Sequence, residues 1–164
     1  MNKAKLSDSW ATPQWLFDKL NREHGPFDID LCATKENSKC NAHAIDYLND
    51  IYIHELSGSF IEGYPLSELG GTAFMNPPYS NPLPFVEKAW EDARFCRIVL
   101  LLKVDTSTKW WSVFWDYELN GPKPGCTVQF LPKRVKFDPP VGFDGKSFGP
   151  TFPSCVIIFD RRGQ

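Results

Sequence analysis

The chain has 164 residues, of which 42% are hydrophobic, and its formal net charge is −2. This length fits one domain with a sizeable core, so we expect a single globular domain over residues 1–164. No run of about 18 apolar residues and no apolar N-terminal signal segment occurs, which argues against membrane and secreted proteins and favours a cytoplasmic one.

The first predicted elements are a helix and a short strand. Thr12 as N-cap, Pro13 at the first helical position and Gly25 as a stop predict an amphipathic helix. The alternating β-formers of "FDIDLCA" predict a first strand that ends near Asp30 or Leu31. Residues 34–71 follow without a clear periodicity.

The middle of the chain repeats this alternation. "TAFM" predicts a second strand, and helical spacing then predicts a helix from about Pro84 to Arg94. "CRIVLLLKV" is a continuous apolar run, which is typical of a central parallel strand covered on both faces. "STKWWSVFWDYELNG" predicts another helix, stopped by Asn120 and Gly121. Its tryptophans at helical spacing are better explained as core residues than as a base-stacking platform; they are Trp110, Trp111 and Trp115.

The last two predicted strands are "CTVQFLP" and "SCVIIFD", joined by a segment rich in Pro and Gly at 138–153. They are expected to pair antiparallel at a sheet edge. Strand and helix alternation of this kind predicts an α/β fold, doubly wound, with a mixed and mostly parallel sheet, helices on both faces and an antiparallel edge hairpin.

The second strand ends in Asn76, Pro77, Pro78 and Tyr79. The prolines cannot continue a strand ladder and make the loop stiff. Because ligands bind at the carboxyl ends of strands in open α/β sheets, this loop is predicted to border a site. An exocyclic aromatic amine is a poor nucleophile until acceptors localise its lone pair; Asn76 Oδ1 and the Pro77 carbonyl suit this role, and Tyr79 can stack on a flipped base. The alternative is a plain turn with an exposed aromatic residue.

Several motifs in order connect the chain to a known family. They are "WATPQWLFDKL" at 10–20, "FDIDLCAT" at 27–34, "FMNPPYSN" at 74–81, "TKWW" at 108–111, "FLPKRVKF" at 130–137 and "FPSCVIIF" at 152–159. With these motifs the chain resembles the phage-type DNA adenine-N6 methyltransferases, Dam-like enzymes that use S-adenosylmethionine. The resemblance implies a Rossmann-like methyltransferase fold and activity on double-stranded DNA with a flipped adenine, in the cytoplasm of a bacterium or phage-infected host.

The resemblance also implies roles for particular residues. Asn76 to Tyr79 match the catalytic loop, and Asp30 would face the methionine amino group of the cofactor. The first strand lacks the Gly-x-Gly of many methyltransferases, so cofactor contact falls to other residues, with Asp46 and Asp50 as candidates for the ribose. The implied cofactor contacts are Trp10, Thr12, Pro13, Asp30, Leu31, Cys32, Ala33 and Asn76.

Charge indicates where DNA would bind. Residues 1–92 carry 7 basic and 14 acidic side chains, whereas residues 93–164 carry 11 and 6. A basic C-terminal part permits a phosphate-facing surface, although a solvated mixture of charges explains it equally well. The predicted substrate contacts are Tyr79, Ser80, Lys133 and Arg134, and loops at 34–71, 104–109 and 138–153 are expected to read the sequence of the target.

The cysteines indicate no disulfide framework. The chain has five of them, an odd number without a Cys-x-x-Cys pair, which fits reduced thiols. Cys32, Cys40, His43 and His54 contain only one close pair, so no metal is expected. Three alternatives to DNA methylation stay open, namely methylation of an RNA base, methylation of protein glutamine, and binding of cofactor or DNA without turnover.

Overall fold

The computed structural model describes residues 6–54, 59–62, 66, 71–140, 142–145 and 152–164. Parts of the loops expected to read the target, including 55–58, 67–70 and 146–151, lie outside the described residues. In the described segments, the helices are α1 (Gln14–His24) and α2 (Leu83–Asp92), with short 3-10 turns at Leu6–Ser9, Tyr47–Asn49 and Trp111–Val113. The strands are β1 (Ile29–Asp30), β2 (Ala42–Asp46), β3 (Ile51–His54), β4 (Ser59–Glu62), β5 (Thr72–Met75), β6 (Arg97–Lys103), β7 (Trp115–Asp116), β8 (Gly121–Pro122), β9 (Cys126–Phe130) and β10 (Ser154–Phe159).

Among the described residues, eight strands form one mixed sheet in the order β4-β3-β2-β1-β5-β6-β10-β9. The central strands β2, β1, β5 and β6 run parallel, and the outer strands on both sides pair antiparallel. In register, Asp30 lies beside Phe74, and Met75 lies beside Leu100. The carboxyl ends of β1 and β5 are therefore neighbours, which brings Asp30 to the same sheet edge as Asn76.

Strand β6 is buried on both faces, as its apolar run predicts. Ile98, Leu100 and Leu102 face the core that also contains α2, whereas Val99 and Leu101 face the core that contains α1. All five side chains have 0% exposure. Burial of each contributes roughly 1.5–3 kcal/mol, so this strand is a principal source of stability. The two helices thus cover opposite faces of the sheet, which confirms that part of the prediction.

The predicted helices at 13–24 and 84–94 are confirmed to within two residues, with one change at a cap. Pro13 is the N-cap of α1, and no side chain caps this helix end. The Thr12 hydroxyl makes no capping bond; it is buried and has no hydrogen-bond partner among the described residues. Gly25 ends α1 as predicted, and the antiparallel edge pairing of β9 with β10 is also confirmed.

The predicted helix over 107–121 is wrong. The chain forms a single 3-10 turn at Trp111–Val113 and then the β7–β8 hairpin. The Asp116 carboxylate accepts from the backbone N–H groups of Glu118 and Leu119, at 2.9 and 3.0 Å, and thereby bends the chain. The core assignment is confirmed for Trp110 and Trp111, which are 4% and 0% exposed, whereas Trp115 is partly buried and packs against the same core.

The range 34–71 shows no clear periodicity in sequence, and its described residues add three strands to the sheet. Strands β2, β3 and β4 form an antiparallel meander beside β1. No helix in the described segments is both long enough and apolar enough to cross a bilayer.

Candidate cofactor and catalytic site

A cleft opens at the carboxyl ends of β1 and β5. Three separate stretches of chain line it, namely residues 8–12, residues 30–39 and the residue that follows β5. The lining residues are Asp8, Trp10, Ala11, Thr12, Asp30, Cys32, Ala33, Asn37, Lys39 and Asn76. The fold therefore brings six of the residues proposed for the cofactor to one place; they are Trp10, Thr12, Asp30, Cys32, Ala33 and Asn76.

Pro13 and Leu31, the other two residues in that set, are not among the residues that line the cleft. The Pro13 carbonyl accepts from Leu16 N and Phe17 N at 3.0 and 3.1 Å, so it starts α1. Leu31 is 1% exposed, and its N–H donates to the Phe74 carbonyl at 2.9 Å. Both residues hold neighbouring lining residues in place.

Asp30 is the buried acid of the cleft, with 4% exposure. Its carboxylate accepts two long hydrogen bonds of 3.4 Å, from Cys32 N and Lys39 N. Burial raises the pKa of Asp30 from 3.8 to about 6, and these two backbone N–H groups oppose the rise. The carboxylate is therefore under-solvated, and a cationic group entering the cleft would stabilise its charged form.

Two residues of the lining each carry a buried side-chain oxygen without a partner among the described residues. These oxygens are Thr12 Oγ1 and Asn76 Oδ1. A buried unsatisfied polar atom costs about 1–3 kcal/mol, so native proteins retain few of them without a reason. With Asp30, the lining residues therefore provide a carboxylate, an amide oxygen of Asn76 and a hydroxyl of Thr12 that are not fully satisfied by the described part of the protein. Such a set fits a ligand that carries an amino group, a cationic centre or both.

The loop after β5 keeps its acceptors free. Pro77 is buried, and no backbone N–H of the described residues donates to its carbonyl. With Asn76 Oδ1 this carbonyl provides two acceptors on consecutive residues. Because the Pro77 and Pro78 rings fix their φ angles, the two acceptors are held before any substrate arrives.

Tyr79 is more firmly anchored than an exposed stacking residue would be. Its hydroxyl donates to the Leu101 carbonyl at 3.1 Å. Its ring centroid lies 5.8 Å from that of Phe137 and 5.6 Å from that of Phe152. Burial raises the pKa of the Tyr79 phenol well above 10, so the phenol stays neutral and cannot act as a base at physiological pH.

Ser80 is exposed and is held by a residue from the far N-terminal part of the chain. Its N–H donates to Asp8 Oδ1 at 3.1 Å, and its hydroxyl donates to Asp8 Oδ2 at 2.6 Å. Asp8 also lines the cleft. A contact across 72 residues of sequence therefore joins the cleft wall to the loop after β5.

A basic segment follows β9 and runs back toward the cleft. Val135 and Phe137 point into the core, whereas Lys133, Arg134 and Lys136 are exposed. Phe137 packs edge-on against Tyr79. Asp138 pairs with Ala11 through two backbone bonds of 2.9 Å. Through Phe137 and Asp138, the end of this segment therefore lies beside the loop after β5 and the stretch around Ala11.

Four lining residues are not among those predicted from the sequence; they are Asp8, Ala11, Asn37 and Lys39. Ala11 lies within the "WATPQW" motif between Trp10 and Thr12, and these two predicted contacts indicate its position at the site. Asn37 and Lys39 lie in a polar stretch whose route back to β1 no local pattern reveals. Asp8 is recognisable only through its tertiary contact with Ser80.

The proposed ribose contacts Asp46 and Asp50 have other partners and do not line the cleft. Asp46 caps the turn at Tyr47–Asn49 by accepting from Asn49 N. Asp50 lies 2.8 Å from Lys88 Nζ and accepts from the Tyr52 hydroxyl at 3.0 Å. Both carboxylates therefore serve the structure of the β2–β3 region.

Asp50→Asn is accordingly expected to leave cofactor affinity within about twofold of the parent and to lower stability by up to about 1 kcal/mol, since the ion pair with Lys88 is partly exposed. Asn suits the left-handed backbone at this position, φ 57°, so the substitution adds little strain. Calorimetry with S-adenosylmethionine and urea unfolding would measure the two effects. A large loss of affinity at unchanged stability would restore Asp50 as a ligand contact.

No group of three or more His, Cys, Asp or Glu side chains suited to a metal ion occurs in the described part of the chain. Burial and the neighbouring Asp30 carboxylate raise the pKa of Cys32 well above 9. The Cys32 thiol is thus protonated at neutral pH and is a poor nucleophile.

The fold and the cleft define an α/β protein with a cleft at the carboxyl ends of parallel strands, the place where open α/β sheets bind their ligands. The chain belongs to the family described as DNA N-6-adenine-methyltransferase (Dam), whose sequence profile matches residues 1–117. This match confirms the family resemblance carried by the motifs. The final 47 residues, including the basic segment, lie beyond the matched range.

Two phage proteins are similar to the chain. It is 35% identical over 114 residues to the DNA N-6-adenine-methyltransferase of Haemophilus phage HP1 (strain HP1c1), an alignment that covers 68% of this chain and 58% of the relative. It is 29% identical over 108 residues to the DNA N-6-adenine-methyltransferase of Escherichia phage T1, covering 65% of this chain and 40% of that relative. The chain thus aligns with about half of each relative's length.

Proposed function

We propose that this chain transfers a methyl group from S-adenosylmethionine to the N6 amine of adenine in DNA. The observation that carries the proposal is that Asn76, whose Oδ1 is buried without a partner among the described residues, lines the same cleft as the buried Asp30. An acceptor for the target amine and an anion for the cofactor are what this reaction requires. Family membership and the names of the two phage relatives support the same reaction.

The cofactor assignment depends on the chemistry of the cleft. The methionine part of S-adenosylmethionine carries an ammonium group, which Asp30 would hold as its counter-ion. Thr12 Oγ1 and Lys39 offer a hydroxyl and a cation on the same lining for its remaining polar groups. The bound cofactor would supply a methyl group already activated on a positively charged sulfur. The protein's own residues then need only to bind, orient and exclude water.

In the proposed reaction, Asn76 Oδ1 and the Pro77 carbonyl accept the two N6 hydrogens. These bonds localise the nitrogen lone pair and favour the pyramidal amine of the transition state. Transfer would form a bond between N6 and the methyl carbon as the bond from that carbon to sulfur breaks. The surplus proton on N6 would leave to solvent, because an amide oxygen is too weak a base to retain it.

For a base inside a duplex, adenine must first rotate out of the stack. Tyr79 would contact its ring, and the anchoring of the Tyr79 hydroxyl on Leu101 would keep this contact in place. Lys133 and Arg134 would contact phosphates beside the site, with Arg134 able to grip a phosphate in bidentate fashion. On this proposal one sheet carries both the cleft and the loop, so the described residues act as one methyltransferase domain. Its proposed place of action is the cytoplasm, where the DNA substrate is found.

The experiment that tests the function is transfer of labelled methyl from S-adenosylmethionine to unmethylated DNA, to RNA and to a protein extract, followed by nucleoside and amino-acid analysis. Label in N6-methyladenine of DNA is expected. Label in an RNA base or in glutamine would replace the substrate but keep the chemistry. Cofactor binding without label in any acceptor would overturn the proposed catalysis.

Arg134→Ala is expected to weaken DNA binding at every sequence and to reduce the slope of log affinity against log salt by about 1, because one phosphate contact is lost. Fluorescence anisotropy with duplex DNA at several salt concentrations would measure this. Arg22→Ala, which removes an exposed guanidinium from α1, serves as the matched control and should leave the slope unchanged. If the slope for Arg134→Ala equals that for Arg22→Ala, Arg134 makes no phosphate contact.

A further inference from the structure

Residues 8–12 form a strap along the cleft, held at two points. At one end, the Asp8 carboxylate accepts from both the N–H and the hydroxyl of Ser80, at 3.1 and 2.6 Å. Near the other end, Ala11 exchanges two backbone bonds of 2.9 Å with Asp138. Four of the strap's five residues line the cleft. The strap is therefore a cleft wall tied to the catalytic loop on one side and to the basic segment on the other.

The tie at Ser80 acts on Asn76 through a stiff connection. Between these two residues stand Pro77 and Pro78, whose rings fix two φ angles, and Tyr79, which is anchored by its hydroxyl. The two fixed φ angles and the anchored Tyr79 reduce the freedom of the loop to absorb a displacement of Ser80. A constraint on Ser80 is consequently transmitted to the position of Asn76 Oδ1.

Asp8 itself is placed to respond to an occupant of the cleft. It is one of the lining residues, yet both of its carboxylate oxygens bond outside the cleft, to Ser80. A ligand that packs against the strap would contact Asp8, the residue that is hydrogen-bonded to Ser80. Hydrogen bonds to an ionised acceptor are also stronger than neutral ones, so the link can bear this coupling.

We propose that Asp8 is a positioning residue, which couples occupation of the cofactor cleft to the placement of the catalytic loop through Ser80. Where turnover is concerned, this inference rests on the proposed methyl transfer. The link between strap and loop does not depend on turnover, and it can be observed directly at one backbone amide.

The decisive measurement is hydrogen exchange at the Ser80 amide, with and without S-adenosylmethionine. Between Asn76 and Pro82 only Tyr79, Ser80 and Asn81 have exchangeable N–H groups besides Asn76 itself, so the signal is easily assigned. In the parent protein, cofactor is expected to slow exchange at Ser80 severalfold. In Asp8→Asn, exchange is expected to be faster without cofactor and insensitive to its addition. Equal exchange in all four states would overturn the inference.

Turnover gives a second readout. Asp8→Asn and Ser80→Ala are each expected to lower kcat about tenfold, the effect of losing a hydrogen bond to a charged group. The KM for DNA should change little. The double variant should be no slower than either single variant, because both remove the same link. Ser80→Thr keeps the hydroxyl at an exposed position and should restore the rate.

Controls separate this role from stability and from the proposed function. Asp18→Asn and Ser112→Ala remove an exposed carboxylate and an exposed hydroxyl that each make one local bond, and neither should change kcat. Additive losses in the double variant, or kcat losses that follow the melting temperature, would contradict the inference. If the parent protein transfers no methyl to DNA, the proposed function fails, and the amide exchange still decides the inference.

Discussion

Asn76→Ala is expected to lower the rate of methyl transfer by about 10² to 10³, the cost of removing one preorganised acceptor that acts in the transition state. The affinity for S-adenosylmethionine should fall only a few fold, because Asn76 is one of ten residues that line the cleft. Single-turnover kinetics with labelled cofactor and duplex DNA would measure the rate, and calorimetry would measure the affinity. A variant that loses affinity and rate in equal proportion would reassign Asn76 to the cofactor alone.

The same substitution is expected to leave the protein at least as stable as the parent. Asn76 Oδ1 is buried without a partner among the described residues, so its removal relieves an unsatisfied acceptor worth about 1–3 kcal/mol. Loss of the remaining side-chain packing offsets part of this gain. Urea unfolding would give the difference. A strongly destabilised variant would mean that Asn76 supports the fold rather than the chemistry.

Two further variants sharpen this prediction. Asn76→Asp keeps an oxygen acceptor of nearly the same shape and should retain more activity than Asn76→Ala. Asn81→Ala removes an exposed amide from the same loop and should leave the rate unchanged. If Asn76→Asp is as inactive as Asn76→Ala, an acceptor alone does not explain the role of Asn76.

The elements that sequence predicts best are those whose pattern is set by local burial. The run at 96–104 has no polar residue between Ile98 and Leu102, and such a run is stable only between two covering layers. Helix α1 likewise carries its own stop at Gly25. In both cases the residues that form the element also contain the signal.

The elements that sequence misses depend on contacts that hydrophobic spacing does not reveal. The aromatic residues at 110–115 have spacing compatible with a helix, and the competing contact that wins is the Asp116 carboxylate on Glu118 N and Leu119 N. Strand β2 owes its position to pairing with β1 and β3 rather than to its own composition. A local side-chain bond decides the first case, and tertiary pairing overrides local preference in the second.

The cleft divides in the same way. Asp30 and Asn76 were predictable because each directly follows or ends a recognisable strand, and strand ends meet at one sheet edge. Asp8 and Lys39 were not, since they reach the cleft from irregular segments through contacts such as that of Asp8 with Ser80. Motifs therefore predict the residues on the sheet edge, and the fold supplies those that close the cleft around it.

Asp30→Asn is expected to weaken S-adenosylmethionine binding at pH 7.5 by about 100-fold or more, because the partner of the ammonium group loses its charge in a buried site. The parent should also show pH-dependent affinity. With the pKa of Asp30 raised to about 6 by burial, the carboxylate is largely charged at pH 7.5 and largely protonated at pH 5. Binding at pH 5 must displace that proton, so the affinity should be about tenfold weaker than at pH 7.5.

Calorimetry in buffers of different ionisation enthalpy would test this, since parent protein near pH 5.5 should release a proton on binding. The Asn variant should release none and should show no dependence of affinity on pH between 5 and 7. Asp18→Asn serves as the control for an exposed carboxylate and should titrate like the parent. If the affinity of Asp30→Asn still depends on pH, a group other than Asp30 is the one that titrates.

The stability of the cofactor-free protein is expected to depend on pH in the opposite direction, falling as the pH rises. A folded-state pKa of about 6 lies above the ordinary 3.8, so the folded chain binds this proton more tightly than the unfolded chain does. The stabilising contribution of the protonated acid is complete below about pH 4 and is lost as the pH rises through 6, a cost of roughly 3 kcal/mol at 1.36 kcal/mol per pKa unit. Asp30→Asn removes that cost, so the variant should unfold at higher urea concentration than the parent at pH 7.5, with the two converging toward pH 4. Greater stability together with lost affinity would show that the buried charge is retained for cofactor binding at the expense of the fold, whereas a destabilised variant would mean that the bonds to Cys32 N and Lys39 N outweigh the burial of the charge.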